Sequence, residues 1–299
     1  MSEKPDTNEL NALLRLMDDP DESVYQRIRQ RIIDLGTEVV PQLEHAWENT
    51  FDEFTRGRLE ELIHAINFRH IKSQITLWKL NGGEDIIEGA LLLSKLRYPS
   101  LDLDPLIREM GTIAQDIWLE MNDKMSPLDK VRVINHIFFD VYEYKGLKTQ
   151  QLNLGNAFIH QTIQIKRGGP TTLGILYLGL SQSLNLPVYG LDLPMNFSLT
   201  WLEADPGHFL NEPQKDPVLF YINPFFKGVV FTRREIDKFI KENNLDSKPH
   251  FYHPCSNIAV LVRLAEEIRF LLNQDDQISL AEEIGEIIAI LRGTNIQED

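Results

Sequence analysis

The sequence predicts an α+β fold that is mainly helical and contains one small antiparallel sheet. Two patterns predict it: apolar residues recur at helical spacing through most of the chain, and between residues 187 and 222 their period changes to two. The composition of the 299 residues, 42% hydrophobic and 25% charged, is typical of a folded globular protein. It excludes disordered, collagenous and low-complexity classes.

Residues 1–80 are expected to form four short amphipathic helices. A turn and cap at Asp18-Asp19-Pro20-Asp21, a glycine after a helix end at Gly36, and a first-turn proline at Pro41 separate them. The pattern Leu-Leu-x-Leu-Met-Asp-Asp-Pro, followed by Leu-Gly-x-x-Val-Val-Pro, resembles one helical hairpin of the HEAT type. We therefore treat residues 1–80 as an N-terminal, HEAT-like helical segment.

The break at Asn81-Gly82-Gly83 is expected to begin a core over residues 81–244, with a C-terminal helical hairpin over 245–299. Three helices open the core, and residues 168–191, which carry no charge, are predicted to form a buried helix that runs into a strand. The remaining predicted elements are strands at 187–191, 197–202 and 218–222, a helix at about 256–272, and helices opened by capping boxes at Thr232–Glu235 and Ser279–Glu282.

The charge balance argues against polyanionic partners. The net charge is −15, and residues 1–80, 81–244 and 245–299 carry −5, −4 and −6. Because a protein that neutralises phosphates needs a cationic face, we expect neither nucleic acid nor an anionic membrane as partner, although a small basic pocket could still lie in the middle third. The single cysteine, Cys255, and a polar N-terminus without a secretory signal favour the cytoplasm.

Residues 166–178 carry the strongest functional signal. A glycine turn at Gly168-Gly169 precedes an apolar helix, for which Thr171 or Thr172 offers a cap, and the helix leads to the first strand. This order of elements is that of a papain-like or transglutaminase-like core, in which a nucleophile at the helix start meets a histidine and an aspartate on adjacent strands.

The sequence resembles the bacterial SirB-type branch of the transglutaminase-like superfamily over about residues 88–290. The segments that carry the resemblance are Glu88–Leu93, Tyr98–Asp102, Asn156, Arg167-Gly168, Leu176–Leu178, Leu186–Gly190, Leu193-Pro194 and Ile222–Phe225.

The resemblance implies a degenerate catalytic triad. The family's nucleophile falls on Pro170, its histidine on Asn196 and its aspartate on Asn223. Proline offers neither a nucleophile nor an N–H donor, and asparagine does not exchange a proton near neutral pH, so we expect no triad chemistry. The residual cleft would comprise Thr171, Thr172, Asn196 and Asn223. Purely structural roles compete: Pro170 as a first-turn proline, Asn196 as a solvent-facing strand residue, and Asn223 as a turn cap.

Substitute chemical groups are few. Asp205–Phe209 repeats the family's histidine motif at His208. The neighbouring motifs, however, align the family's histidine with Asn196, so we interpret His208 as a loop residue. His250, His253 and Cys255 place three metal-ligand types in six residues without a second ligand pair, so we predict no metal and no cofactor. We interpret Cys255 as a small, buried hydrophobic residue.

Three functions stay open on this basis. The first is a catalytically inactive transglutaminase-like protein that acts as a protein-binding or regulatory module, with a protein partner of unknown identity. The second is a cysteine-independent hydrolase or acyltransferase on a peptide or amide, with a site rebuilt from His208, Thr172 or Cys255. The third is a small-molecule-binding protein that uses the residual cleft. The sequence does not predict the oligomeric state.

Overall fold

The computed structural model describes residues 7–17, 19, 21–148, 152–203 and 217–294. The chain divides into two compact units, Met1–Gln74 and Ile75–Asp299. The α+β class predicted from the sequence is confirmed, because helices predominate and the main sheet is small and antiparallel.

The first unit is helical. Its helices are α1 (Thr7–Leu14), α2 (Glu22–Leu35), α3 (Val40–Asn49) and α4 (Glu53–Leu80), which extends into the second unit. The prediction that the fourth helix is short is wrong. Residues 53–80 contain no proline and only one glycine, so the helical hydrogen bonds continue without a break. The core of this unit is formed by Leu10, Met17, Tyr25, Ile28, Ile32, Ile33, Val39, Leu43, Leu59, Leu62 and Ile66.

The predicted helix boundaries in this unit are mostly confirmed. The Asp21 side chain caps α2 by accepting from the Ser23 amide, Gly36 follows the helix with φ +77°, and Pro41 lies in the first turn of α3. Two members of the predicted turn, Asp18 and Pro20, lie outside the described residues.

The second unit begins its own helices after a glycine turn. Gly82 and Gly83 have φ +95° and +64°, which favours glycine. The helices that follow are α5 (Ile86–Arg97), α6 (Asp104–Glu120), α7 (Pro127–Asn135, which continues as a π-helical turn over His136–Val141) and α8 (Ile159–Ile165).

The main sheet consists of β3 (Val188–Leu191), β4 (Ser198–Leu202), β5 (Val218–Asn223) and β6 (Val229–Phe231), in the spatial order β3-β4-β5-β6. All neighbouring pairs are antiparallel, as predicted for the first three. The fourth strand was not predicted, because three residues are too short to show alternation. A separate parallel pair joins β1 (Lys145–Gly146) to β2 (Arg167–Gly168).

Helix α9 (Pro170–Ser183) lies at the centre of the second unit. Residues 171–181 are all buried, which explains why this stretch of sequence carries no charge. The helix leads through a turn into β3, so the prediction of a buried helix followed by a strand is confirmed. Among the residues that the structure describes, no helix combines the length and the apolar character that crossing a membrane requires.

The unit closes with α10 (Arg233–Glu242), α11 (Asn257–Gln274) and α12 (Ile278–Arg292). The capping box at Thr232 and Glu235 is confirmed. Ser256 caps α11, because its side chain accepts from the Ala259 amide. The predicted box at Ser279 is wrong. A tight turn with Asp276 at φ +56° starts α12 at Ile278, which leaves Ser279 inside the helix.

Candidate functional site

The start of α9 is built from backbone rather than from side-chain caps. Gly169 is the N-cap residue, Pro170 is the first helical residue, and no side chain caps the end. The prediction that Thr171 or Thr172 caps α9 is therefore wrong. Both threonines lie buried in the first turn, and the Thr172 hydroxyl accepts a 2.9 Å hydrogen bond from Thr162 on α8.

Asn196 and Asn223 come together although 27 residues separate them in sequence. The Nδ2 of Asn223, the last residue of β5, donates to Oδ1 of Asn196, just before β4, over 3.3 Å. Asn223 also caps the turn at Pro224–Phe226, because its Oδ1 accepts from the Phe226 amide. The turn-capping interpretation of Asn223 is thus confirmed, whereas the solvent-facing interpretation of Asn196 is wrong, since its side chain is half-buried and hydrogen-bonded.

Close packing brings the asparagine pair toward the start of α9. A Cβ atom at Gly174, one turn after Pro170, would lie 2.3 Å from the Phe197 ring, so the glycine lets this ring rest on the helix backbone. Helix α9 also packs against β4 and against the Pro224–Phe226 turn. Three elements that are separate in sequence therefore meet at one place.

The chemistry available at this place is limited. Pro170 has no side-chain donor, acceptor or nucleophile and no N–H. The two amide side chains donate and accept hydrogen bonds but do not transfer protons near neutral pH. The three described residues can therefore bind polar groups through the two side-chain amides.

Cys255 lies beside β3. Its amide donates to Gly190 O over 2.8 Å, and its Sγ lies near the backbone of this glycine. Burial, followed by the nearby Asp192 carboxylate, raises the pKa of the thiol to about 12. The thiol stays protonated at neutral pH and is a poor nucleophile.

The other histidine and metal candidates do not form a site in the described residues. His208 lies outside them. His250 and His253 are exposed, and no group of three or more histidine, cysteine or carboxylate side chains is placed to hold a metal ion in the described part of the chain.

A polar groove of about 630 Å³ runs along α11. Its charged lining includes Arg263, which donates to Asp192 Oδ1 over 2.5 Å, and Arg292, which pairs with Glu266. It also includes Glu267, whose Oε1 lies 3.8 Å from where a Cβ atom of Gly169 would be. The groove thus reaches the start of α9.

Glu267 and Arg263 are not among the site residues that the sequence predicts. Both lie on a C-terminal helix whose pattern is that of an ordinary amphipathic helix. No local signal in the sequence could have placed Glu267 beside Gly169 or Arg263 beside Asp192.

Comparison with known proteins decides the family. A family model for the transglutaminase-like superfamily matches residues 105–266, just over half of the chain. The chain belongs to the transglutaminase-like superfamily. Its transglutaminase-like region spans the α9 start, the asparagine pair, Cys255 and part of the groove.

The similar proteins come from bacteria and from mammals. A UPF0162 protein of Vibrio cholerae is 24% identical over 200 residues, which cover 66% of this chain and 70% of that protein. A UPF0162 protein of Xylella fastidiosa is 20% identical over 190 residues, 61% of this chain and 63% of its own length. F-box only protein 21 of the mouse is 25% identical over 178 residues, 60% of this chain but only 25% of the mouse protein. No solved structure matches this chain significantly.

Proposed function

We propose that this chain is a catalytically inactive transglutaminase-like protein of the SirB type that acts as a protein-binding or regulatory module. The observation that carries the proposal is the hydrogen-bonded pair of Asn196 and Asn223, which occupies the positions assigned to the family's histidine and aspartate. With Pro170 at the position assigned to the nucleophile, the three groups of the triad are all replaced.

The described candidates for a rebuilt site do not supply a replacement. The hydroxyl of Thr172 is buried and bonded to Thr162, and the pKa of Cys255 is raised to about 12. A hydrolase or acyltransferase needs a nucleophile with a base in hydrogen-bond reach, and neither side chain has one. Binding is the function that the remaining scaffold supports.

The proposal extends to the N-terminal helices and to the cellular compartment. Residues 1–80 would act as a HEAT-like helical segment that offers additional binding surface. The lone cysteine, which has no second cysteine in the chain to pair with, fits a cytoplasmic protein.

Inactivity is tested with the full-length wild-type protein, a fluorescent primary amine and a glutamine-rich acceptor protein. We expect no incorporation of the amine and no peptide cleavage beyond that of heat-denatured protein. Activity that Cys255→Ala abolishes, while Asn81→Ala retains it, would overturn the proposal.

The groove beside Gly169 supports a second candidate function, a small-molecule-binding protein. Glu267 carries a half-buried carboxylate at the point where the groove reaches the start of α9, and the two arginines of the groove each pair with a carboxylate. This charge arrangement favours a ligand with an amino group. Isothermal calorimetry with free amino acids and polyamines tests it, with Glu267→Gln expected to abolish binding and the exposed Glu282→Gln expected to leave it unchanged.

A further inference from the structure

Strand β6 leaves one edge of the main sheet open. It pairs with β5 alone, and within the residues that the structure describes no strand lies on its outer side. Backbone N–H and C=O groups on such an edge are free to pair with an added strand. In the register of the sheet Val229 lies opposite Asn223, so this edge is one strand away from the asparagine pair.

Large apolar side chains are exposed beside this edge. Val229 is 57% exposed, and Phe226, three residues earlier, is 60% exposed. Met195, which precedes Asn196, is 73% exposed. Exposed apolar side chains that gather around one place are typical of an interaction surface.

The chain segment that forms the edge is rich in cations, in contrast to the protein as a whole. Residues 227–234 contain Lys227, Arg233 and Arg234 and no acidic residue, in a chain of net charge −15. Lys227 reaches Asp140 at 3.6 Å in an ion pair that is exposed on both sides. The next acid along the chain, Glu235, turns back to accept from the Thr232 amide at 2.8 Å. Cations therefore flank the strand at both ends.

The edge is also held in place before any partner arrives. Gly228 has φ +67° and donates to Asn223 O over 2.9 Å, while its own carbonyl accepts from Asn135 Nδ2 over 3.0 Å. At the other end of the strand, the Phe231 ring stacks on Tyr221 in β5 with centroids 5.4 Å apart. A rigid edge costs little ordering entropy when it binds.

We propose that the outer edge of β6 is a docking site for an acidic, extended segment of a partner protein, which adds to the sheet as a further antiparallel or parallel strand. Its apolar side chains would cover Val229 and Phe226, and its carboxylates would approach Lys227 and Arg234. Backbone pairing supplies the affinity, and the flanking charges select acidic segments. This inference rests on the proposed protein-binding function and names the chemistry of the partner.

The probe is a fluorescein-labelled peptide, Asp-Glu-Val-Thr-Val-Thr-Val-Glu-Asp, titrated with the full-length protein while fluorescence anisotropy is recorded at low salt. We expect saturable binding that is at least about tenfold stronger than for two control peptides. One control has lysine at the four acidic positions, and the other has proline in place of the central valine, which removes a strand N–H. No saturable binding, or equal binding of the proline peptide, would overturn the proposal.

Matched variants locate the site. Lys227→Glu with Arg234→Glu should weaken binding of the acidic peptide about tenfold. Lys238→Glu with Lys241→Glu makes the same change of charge on exposed positions of α10 and should weaken it less than about twofold. Equal losses of peptide affinity in the two double variants would show attraction by net charge only and would contradict a site at β6. Binding of anionic lipid vesicles without binding of the peptide would also contradict it.

Docking at β6 and the proposed function can fail independently of each other. If wild-type protein binds a partner directly and the Lys227/Arg234 variant binds it equally well, the protein-binding function stands and docking at β6 is wrong. If the amine-incorporation assay shows activity while the peptide binds β6 as described, docking at β6 stands and the inactive-enzyme proposal fails.

Discussion

Asn223 donates to Oδ1 of Asn196 through its amide nitrogen and accepts from the Phe226 backbone amide through its own oxygen, both over 3.3 Å. A side-chain amide is suited to both bonds because it carries a donor and an acceptor in one plane. The residue is buried, so neither half of the amide is readily satisfied by water.

Asn223→Ala should therefore lower the free energy of unfolding by about 1–3 kcal/mol, because it removes the turn cap and leaves Asn196 without its donor. Asn223→Asp should cost less than about 1 kcal/mol, since the carboxylate keeps the cap and the Asn196 amide can rotate to donate to it. Urea denaturation of both variants measures the difference, with the exposed Asn81→Ala as control. An alanine variant as stable as the control would mean that the pair contributes nothing to the fold.

Gly174→Ala should destabilise the protein by about 1–3 kcal/mol. A Cβ atom at this position would lie 2.3 Å from the Phe197 ring, which must move and shift the neighbouring Asn196. Gly111→Ala in α6 is the matched control, because nothing lies within 4 Å of a Cβ there and alanine favours the helix by up to about 1 kcal/mol. Thermal melts should move in opposite directions. A stabilised Gly174→Ala variant would contradict the packing of Phe197 on α9.

His160 should make the protein sensitive to mild acid. The ring is 2% exposed between Tyr98 and Phe158, and its Nε2 faces the Gln161 side-chain nitrogen. Its Nδ1 has no hydrogen-bond partner among the residues that the structure describes. Burial lowers the pKa of the ring from 6.5 to about 4. The folded state thus favours the neutral ring. The stabilisation that follows from this preference is complete above about pH 6.5 and is lost as the pH falls toward 4.

His160→Phe should remove this pH dependence. Relative to pH 8, wild-type protein at pH 5 should lose about 2 kcal/mol more of its free energy of unfolding than the variant does. Urea titrations at both pH values measure the difference, and the exposed His253→Gln should behave like wild type. Identical pH dependence of wild type and His160→Phe would contradict the assignment.

Arg58 should be the most sensitive charged position of the N-terminal unit. Its guanidinium is buried, donates to Met17 O over 2.8 Å and to Asp19 O over 3.0 Å, and lies over the Tyr25 ring at 3.8 Å. Arg58→Met should cost about 2–4 kcal/mol, because the two carbonyl groups lose their donor. Arg56→Met, two residues earlier and exposed over Trp47, should cost less than about 1 kcal/mol. Similar losses in the two variants would argue against a special role of Arg58.

Much of the fold could be predicted because periodicity and capping are local properties. The spacing of apolar residues identified the helices from α2 to α7, and alternation identified β3, β4 and β5. Local rules failed where a neighbour distant in sequence decides the outcome. Thr172 has the chemistry of a cap, yet Thr162 from α8 satisfies its hydroxyl and Gly169 opens the helix instead.

The candidate site was likewise predictable only where the evidence lies in sequence motifs. Motif order aligned Asn196 and Asn223 with two positions of one site, and they form a hydrogen bond although 27 residues separate them. Glu267 was missed because its place beside Gly169 depends on how α11 packs against the core. The same holds for β6, whose role as an edge follows from the register of the sheet and not from its three residues.

The proposed function requires that the transglutaminase-like geometry persists around Pro170, Asn196 and Asn223 without its chemical groups. Restoring all three groups, by Pro170→Cys, Asn196→His and Asn223→Asp in a Cys255→Ala background, tests it directly. The two reference proteins are Pro170→Cys alone and Pro170→Cys with Asn223→Asp, each in the same background. Circular dichroism melts confirm that all three proteins are folded.

The measurement is the rate of thiol alkylation by iodoacetamide as a function of pH, which gives the pKa of the introduced thiol. The helix start is present in all three proteins, so the paired imidazolium is what distinguishes the triple variant. It should lower the pKa of the thiol below about 7 and at least about one unit below the pKa in both references. Alkylation profiles that are the same in all three proteins would show that positions 170, 196 and 223 do not form one site, and would contradict the account.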